Sequence, residues 1–138
     1  MAPLNPKDID LSTHTVLAVD DIPMNLLLIS KILSRLNITI KTAANGREAL
    51  DFISKEKPSL VLLDLMMPEI DGYEVLRQLR NNPETKDIRV VILSALNSNE
   101  DIVKGFNLGA NDFITKPIIL EKLTNCVITQ LQLADLSR

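Results

Sequence analysis

The 138-residue sequence contains no tryptophan and a single cysteine, Cys126. One cysteine cannot form a disulfide within the chain, so we expect a reducing, cytoplasmic location, with this thiol in the core. Aromatic residues make up only 3% of the sequence, which argues against a stacking platform for bases or sugars. The apolar runs are far shorter than the ~20 residues that cross a bilayer, and Met1-Ala2-Pro3 does not resemble the start of a signal peptide.

Basic residues and glycines are also few. The 15 Lys and Arg residues are scattered, and 18 Asp and Glu residues give a net charge of −3, so direct nucleic-acid binding is not expected. The four glycines form neither a GxGxxG nor a Walker motif, which argues against a nucleotide-binding loop. The chain is 46% hydrophobic, enough for the core of one domain. We expect residues 1–13 to be an N-terminal tail and residues 14–138 to form that domain.

A short apolar run, Leu60-Val61-Leu62-Leu63, stands between turn residues and ends at Asp64. This pattern is typical of a parallel strand that is buried on both faces. Similar strand patterns occur at 15–19, 38–43, 89–93 and 111–115. Helical periodicity separates them, beginning at Pro23, after Asn45-Gly46, near Tyr73, near Ser98 and at Leu120. Five alternations predict a doubly wound α/β domain with a parallel sheet covered on both faces.

Charged and hydroxyl side chains follow four of the predicted strands. In chain order they are Asp20 with Asp21, Asp64, Ser94 and Lys116. Each has an ordinary explanation when taken alone, as a helix cap, a turn residue or a solvated lysine. However, ligands of open parallel sheets bind beyond the carboxyl ends of the strands. The coincidence at four strand ends therefore favours one shared site.

These residues resemble the receiver domain of two-component response regulators of the chemotaxis-regulator kind. The likeness runs from Val16 to about Leu131. It includes the acid pair, Asp64 followed by Met67-Pro68 and Asp71-Gly72, and then Ser94-Ala95 and Lys116-Pro117, in the family's order. The resemblance implies a flavodoxin-like fold with five helices and strand order 2-1-3-4-5. It also implies a cis Lys116–Pro117 peptide bond.

The resemblance further implies that Asp64 accepts a phosphoryl group from a phosphohistidine of a sensor histidine kinase or a histidine phosphotransfer protein. Clustered carboxylates need a cation or shifted pKa values, and oxygen ligands suit Mg²⁺. The implied ligands are Asp21, Asp64, the backbone carbonyl of Met66 and, through water, Asp20. Ser94 and Lys116 would bind phosphoryl oxygens. Such a domain is a signalling phosphoacceptor, not an enzyme with a separate substrate, although it promotes its own phosphorylation and slow autodephosphorylation.

A conformational switch is also implied by the family. Ser94 would move towards the phosphoryl group and the ring of Phe113 would fill the vacated space, changing the surface of the fourth helix, fifth strand and fifth helix. A homodimer through that surface is left open, and core packing is the alternative role of Phe113. Met66 and Leu96, two residues beyond Asp64 and Ser94, are apolar. Because neither can orient a water molecule, we expect a long-lived phosphorylated form.

The first predicted helix contains more apolar residues than one face can bury. We assign Leu28, Ile32 and Leu36 to its apolar face, so part of the run Leu26–Ile29 should be exposed. This surface predicts either a docking partner or deeper packing of the helix. Two other functions remain open, namely a flavodoxin-like cofactor or nucleotide binder and a receiver-shaped interaction module. The absent glycine-rich loop argues against the first, and the complete set of acids and lysine argues against the second.

Overall fold

The computed structural model describes residues 11–95 and 98–136. The expected N-terminal tail lies mostly outside the described residues, as does Leu96. Strands and helices alternate along the chain: β1 (Thr15–Val19), α1 (Pro23–Leu33), β2 (Thr39–Ala43), α2 (Gly46–Lys55), β3 (Leu60–Leu63), α3 (Gly72–Arg80), β4 (Arg89–Ser94), α4 (Asn99–Asn107), β5 (Asp112–Thr115) and α5 (Leu120–Leu136). The last helix begins at Leu120, as the sequence pattern predicted.

The five strands form one parallel sheet in the order β2-β1-β3-β4-β5, which confirms the predicted fold class. The central strand β3 is buried throughout, and its four apolar residues contact helices on both faces of the sheet. The edge strand β2 is mostly accessible. The order reverses between β1 and β3, and this is where ligands of such sheets bind.

Two aliphatic cores lie on opposite faces of the sheet, because successive strand residues point in opposite directions. Val16 and Ala18 of β1 pack with α1 and α5, whereas Leu17 and Val19 pack with α2 and α3. Leu11, within the predicted tail, is buried in the first core. None of the helices in the described part of the chain is long and apolar enough to cross a membrane.

Helix α1 corrects one sequence prediction. Its buried stripe consists of Ile29, Ile32 and Leu33, with Leu36 following the helix, and this spacing fits one helical face. Leu28 is 44% exposed, so its assignment to the apolar face was wrong. The expectation that part of the apolar run is exposed is confirmed.

Candidate functional site

The two strands at the switch point bring the acids together. Residues Val19 of β1 and Leu63 of β3 are partners in the sheet, and the next residues are Asp20 and Asp64. The backbone N–H of Asp64 donates to the Val19 carbonyl oxygen at 3.0 Å, which extends the pairing by one residue. Asp20, Asp21 and Asp64 each offer a carboxylate oxygen, and these oxygens lie within 4.8 Å of one another. The three predicted acids therefore share one site, with Asp21 the most accessible of them.

Asp20 is a buried carboxylate, only 1% exposed, with a donor on each oxygen. Its Oδ1 accepts the backbone N–H of Ile22 at 2.9 Å. Its Oδ2 accepts from Asn25 Nδ2 at 3.0 Å and from Lys116 Nζ at 2.9 Å. The first turn of α1 and the end of β5 thus both contact this acid.

Asp64 is 4% exposed and lies between attractive and repulsive charges. Lys116 Nζ donates to its Oδ2 at 3.4 Å, and the Met66 N–H donates to its Oδ1 at 3.3 Å. Burial raises the pKa of Asp64 above its ordinary value, the charge of Lys116 opposes that rise, and the charge of Asp20 adds to it. The ionised form of Asp64 is therefore costly in this site without a further cation.

Lys116 and Ser94 reach the same end of the sheet from β5 and β4. Ser94 pairs with Thr115, and the backbone N–H of Lys116 donates to the Ser94 carbonyl oxygen at 2.8 Å. Ser94 is fully buried. The Lys116–Pro117 peptide bond is cis. The four strand ends that carry the predicted site residues therefore meet at one edge of the domain.

The loop after Asp64 depends on a glycine. A Cβ atom at Gly72 would lie 2.3 Å from the Asp64 carbonyl oxygen and 2.8 Å from the Cα of Leu65, so only glycine permits this approach. Asp71, the preceding residue, caps α3 by accepting the N–H of Glu74 at 2.9 Å. The Asp71-Gly72 pair noted in the sequence thus holds the start of α3 against the backbone of Asp64.

Comparison with known proteins identifies the family. A profile of the response regulator receiver domain matches residues 16–128. The chain belongs to this family. Receiver domains are signalling phosphoacceptors, which agrees with the resemblance found in the sequence.

Relatives of this receiver domain are longer proteins. A protein of Vibrio cholerae serotype O1 named "Probable cyclic di-GMP phosphodiesterase" is 42% identical over 123 residues, which cover 89% of this chain and 28% of that protein. Response regulator PleD of Caulobacter vibrioides is 41% identical over 103 residues, 75% of this chain and 23% of that protein. The chain therefore spans about a quarter of the length of these curated relatives.

A solved structure shows the same fold. The signal receiver domain of a signal transduction histidine kinase from Syntrophus aciditrophicus superposes with a TM-score of 0.80 at 35% identity, covering 86% of this chain and 90% of that one.

The acidic cluster of this receiver domain fits a hard divalent cation. Its donors are carboxylate oxygens, which Mg²⁺ prefers. Lys116 pairs with Asp20 and Asp64, and Asp21 adds a third carboxylate, so these four residues carry excess negative charge when all three acids are ionised. Burial raises the pKa of Asp64 and the charge of Asp20 adds to that rise, so a bound cation would favour the ionised form of Asp64.

Phe113 lies away from the acids, on β5. Its ring is partly buried and packs with the core that includes Ile92. A Cβ atom at Gly105 of α4 would lie 3.6 Å from this ring, so the ring and the helix are in close contact. The arrangement agrees with core packing of Phe113 and also places the ring beside α4, the helix expected to respond in the switch.

Asn25 is a site residue that the sequence reasoning missed. The signal was present, because this residue follows the acid pair within the segment Asp20-Asp21-Ile22-Pro23-Met24-Asn25. A polar residue in the first turn of a helix has many ordinary roles, however, and only the fold shows that its amide reaches Asp20.

Proposed function

We propose that this receiver domain accepts a phosphoryl group on Asp64 from a phosphohistidine of a sensor histidine kinase or a histidine phosphotransfer protein. The observation that carries the proposal is the buried Asp64 carboxylate, which lies beside two acids and within 3.4 Å of the Lys116 ammonium. A buried carboxylate with a charged partner, at the switch point of the sheet, is a suitable acceptor for a phosphoryl group.

The residues of the chain supply binding and orientation for the transfer. An Asp64 oxygen attacks phosphorus, the P–N bond of the phosphohistidine breaks, and the released imidazole keeps the electron pair and takes up a proton. Lys116 and the Ser94 hydroxyl bind phosphoryl oxygens. Phosphoryl transfer needs mainly positioning and charge stabilisation, so few residues suffice.

The acidic cluster would hold Mg²⁺ during this reaction. The proposed ligands are Asp21, Asp64 and the backbone carbonyl of Met66, with Asp20 acting through a water molecule. When bound, the ion supplies positive charge that reduces the repulsion between the acids and the incoming phosphoryl group.

The phosphodonor would dock on the exposed apolar surface next to the site. On one side this surface comprises Met24, Leu27 and Leu28 of α1, which are 73%, 63% and 44% exposed. On the other side Ile119 and Leu120, shortly after Lys116, are 49% and 43% exposed. A partner that delivers a phosphohistidine to Asp64 must pass close to both segments, so their apolar side chains fit such a partner.

Labelling with a small phosphodonor tests the proposal. Incubation with acetyl phosphate and Mg²⁺ should add one phosphoryl group, detected by intact mass, and EDTA should prevent the addition. Asp64→Asn should abolish labelling, whereas Asp51→Asn, the same change on the exposed face of α2, should leave it intact. Labelling of the Asp64→Asn protein would show that another residue accepts the group. No labelling of the wild type would favour a receiver-shaped interaction module.

A further inference from the structure

We propose that Asn25 is a positioning residue that holds the Asp20 carboxylate in place when Lys116 turns to the phosphoryl group. The inference rests on the proposed phosphorylation of Asp64. Its geometric basis is a single oxygen atom, Asp20 Oδ2, which accepts from both Asn25 Nδ2 and Lys116 Nζ at 3.0 and 2.9 Å.

A phosphoryl group on Asp64 would compete with Asp20 for the ammonium of Lys116. At rest its ammonium lies 2.9 Å from Asp20 and 3.4 Å from Asp64, between the two carboxylates. A phosphoryl group on Asp64 adds negatively charged oxygens to one side of this ammonium and draws it away from Asp20. A buried carboxylate oxygen that loses its donor is strongly disfavoured. Asn25 is the second side-chain donor to Asp20 among the described residues, so it keeps that oxygen bonded after the lysine moves.

Asn25 is well placed to hold Asp20 because the start of α1 is restrained and the helix packs in the core. Pro23 occupies the first turn of α1, and the buried Ile29 and Ile32 anchor the helix in the core. The residue before the helix, Ile22, makes no side-chain cap, and its N–H donates to the other oxygen of Asp20. The helix start therefore holds both oxygens of the acid. The Asn25 amide is neutral, so it orients Asp20 without adding a cation that would compete with a metal ion.

A purely structural role for Asn25 makes a different prediction. If the amide only stabilised the start of α1, its loss would lower the melting temperature and leave labelling of the folded protein unchanged. If it positions Asp20 during transfer, the rate of labelling should fall even where stability is retained. The two roles are separated by measuring both quantities on the same variants.

The experiment compares Asn25→Ala, Asn25→Gln and the control Asn37→Ala, which changes an exposed asparagine in the loop after α1. Labelling rates are measured with acetyl phosphate at saturating Mg²⁺, and melting temperatures are measured in EDTA. We expect Asn25→Ala to be labelled about tenfold more slowly, the effect of losing one hydrogen bond to a charged group. The glutamine variant should recover part of the rate, and Asn25→Ala should stay folded at the labelling temperature, with its melting temperature lowered by no more than the few degrees that one hydrogen bond explains.

Equal labelling rates for Asn25→Ala and the wild type would overturn the inference and leave the proposed function intact. A slower rate that follows a fall in melting temperature, with no recovery in Asn25→Gln, would also overturn it. A wild-type protein that acetyl phosphate does not label would overturn both the inference and the proposed function.

Discussion

Replacing Asp64 by asparagine should stabilise the protein while abolishing its proposed phosphorylation. Asp20 and Asp21 offer oxygens within 4.8 Å of one on Asp64, and each repulsion is about 3.5 kcal/mol at an effective dielectric constant of ~20. Lys116, at 3.4 Å, opposes them with about 5 kcal/mol. Because solvent screens the more accessible Asp21, these charges nearly cancel, and the gain from the substitution comes from no longer burying an ionised group, roughly 1–2 kcal/mol. For a domain of this size we expect a melting temperature about 4–8 °C higher in EDTA at pH 7.

The stabilisation by Asp64→Asn should increase with pH. Burial raises the pKa of Asp64 above its ordinary value of 3.8, so the folded protein binds a proton at pH values where the unfolded chain has lost it. Stability is therefore lost as the pH rises from about 3.8 through the raised pKa. The stability gained by Asp64→Asn should therefore be absent below this pH range and complete above it.

Thermal unfolding measures this prediction at several pH values, with EDTA or with MgCl₂. Magnesium should stabilise the wild type, by about 1.4 kcal/mol at ten times its Kd, and should stabilise Asp64→Asn much less. Asp51→Asn, on the exposed face of α2, is the control and should match the wild type. If Asp64→Asn melts below the wild type in EDTA at pH 7, or if Mg²⁺ leaves the wild-type melting temperature unchanged, the electrostatic reasoning is wrong.

Three further predictions concern the surroundings of the site and the opposite end of the sheet. Met66→Asn should shorten the lifetime of the phosphorylated form roughly tenfold, because an amide can orient an attacking water molecule. Intact mass spectrometry over time would measure this lifetime as the loss of the phosphoryl group. His14→Ala should lower stability by about 2–3 kcal/mol in urea unfolding, since the buried imidazole bonds to Ser59 Oγ at 2.7 Å. Tyr73→Phe should cost about 1 kcal/mol by the same measurement, because the hydroxyl donates to the Asp101 carbonyl at 3.1 Å.

The fold was readable from the sequence because two simple periodicities alternate along it. Strands such as Leu60–Leu63 are short, apolar and bounded by turn residues, and caps such as Asn45 and Ser98 mark helix starts. Details of burial were less readable. Leu28 and Ile29 are adjacent and equally apolar, and only the full spacing to Ile32, Leu33 and Leu36 favours Ile29 as the buried residue.

The candidate site was readable to the extent that its residues are at strand ends. The parallel arrangement brings together Asp20, Asp64 and Lys116 from distant parts of the sequence, and no further information is needed to place them at one edge. Contacts made by helices were not readable. The bond from Asn25 to Asp20 depends on the angle at which α1 leaves the sheet, which the sequence pattern does not specify.

His14 illustrates the same limit at the opposite end of the sheet. The sequence offered no role for this residue, yet it is buried between Ser59 before β3 and Asp135 near the end of α5. Its Nε2 lies 2.9 Å from Asp135 Oδ1, although the two groups are not aligned for a hydrogen bond. Only the long return of α5 along the sheet brings the two ends of the described chain into contact.

Lys116 connects the acidic cluster to the neighbouring strand β4, which provides a route for the proposed conformational switch. Its ammonium contacts both acids, while its backbone N–H bonds to the carbonyl of Ser94 on the neighbouring strand. The two side chains proposed to bind phosphoryl oxygens therefore start from adjoining points of β4 and β5. Phe113 lies on the same short strand as this junction and packs close to Gly105 of α4. We propose that a shift of Lys116 and Ser94 towards Asp64 is passed through β5 and the ring of Phe113 to the surface of α4.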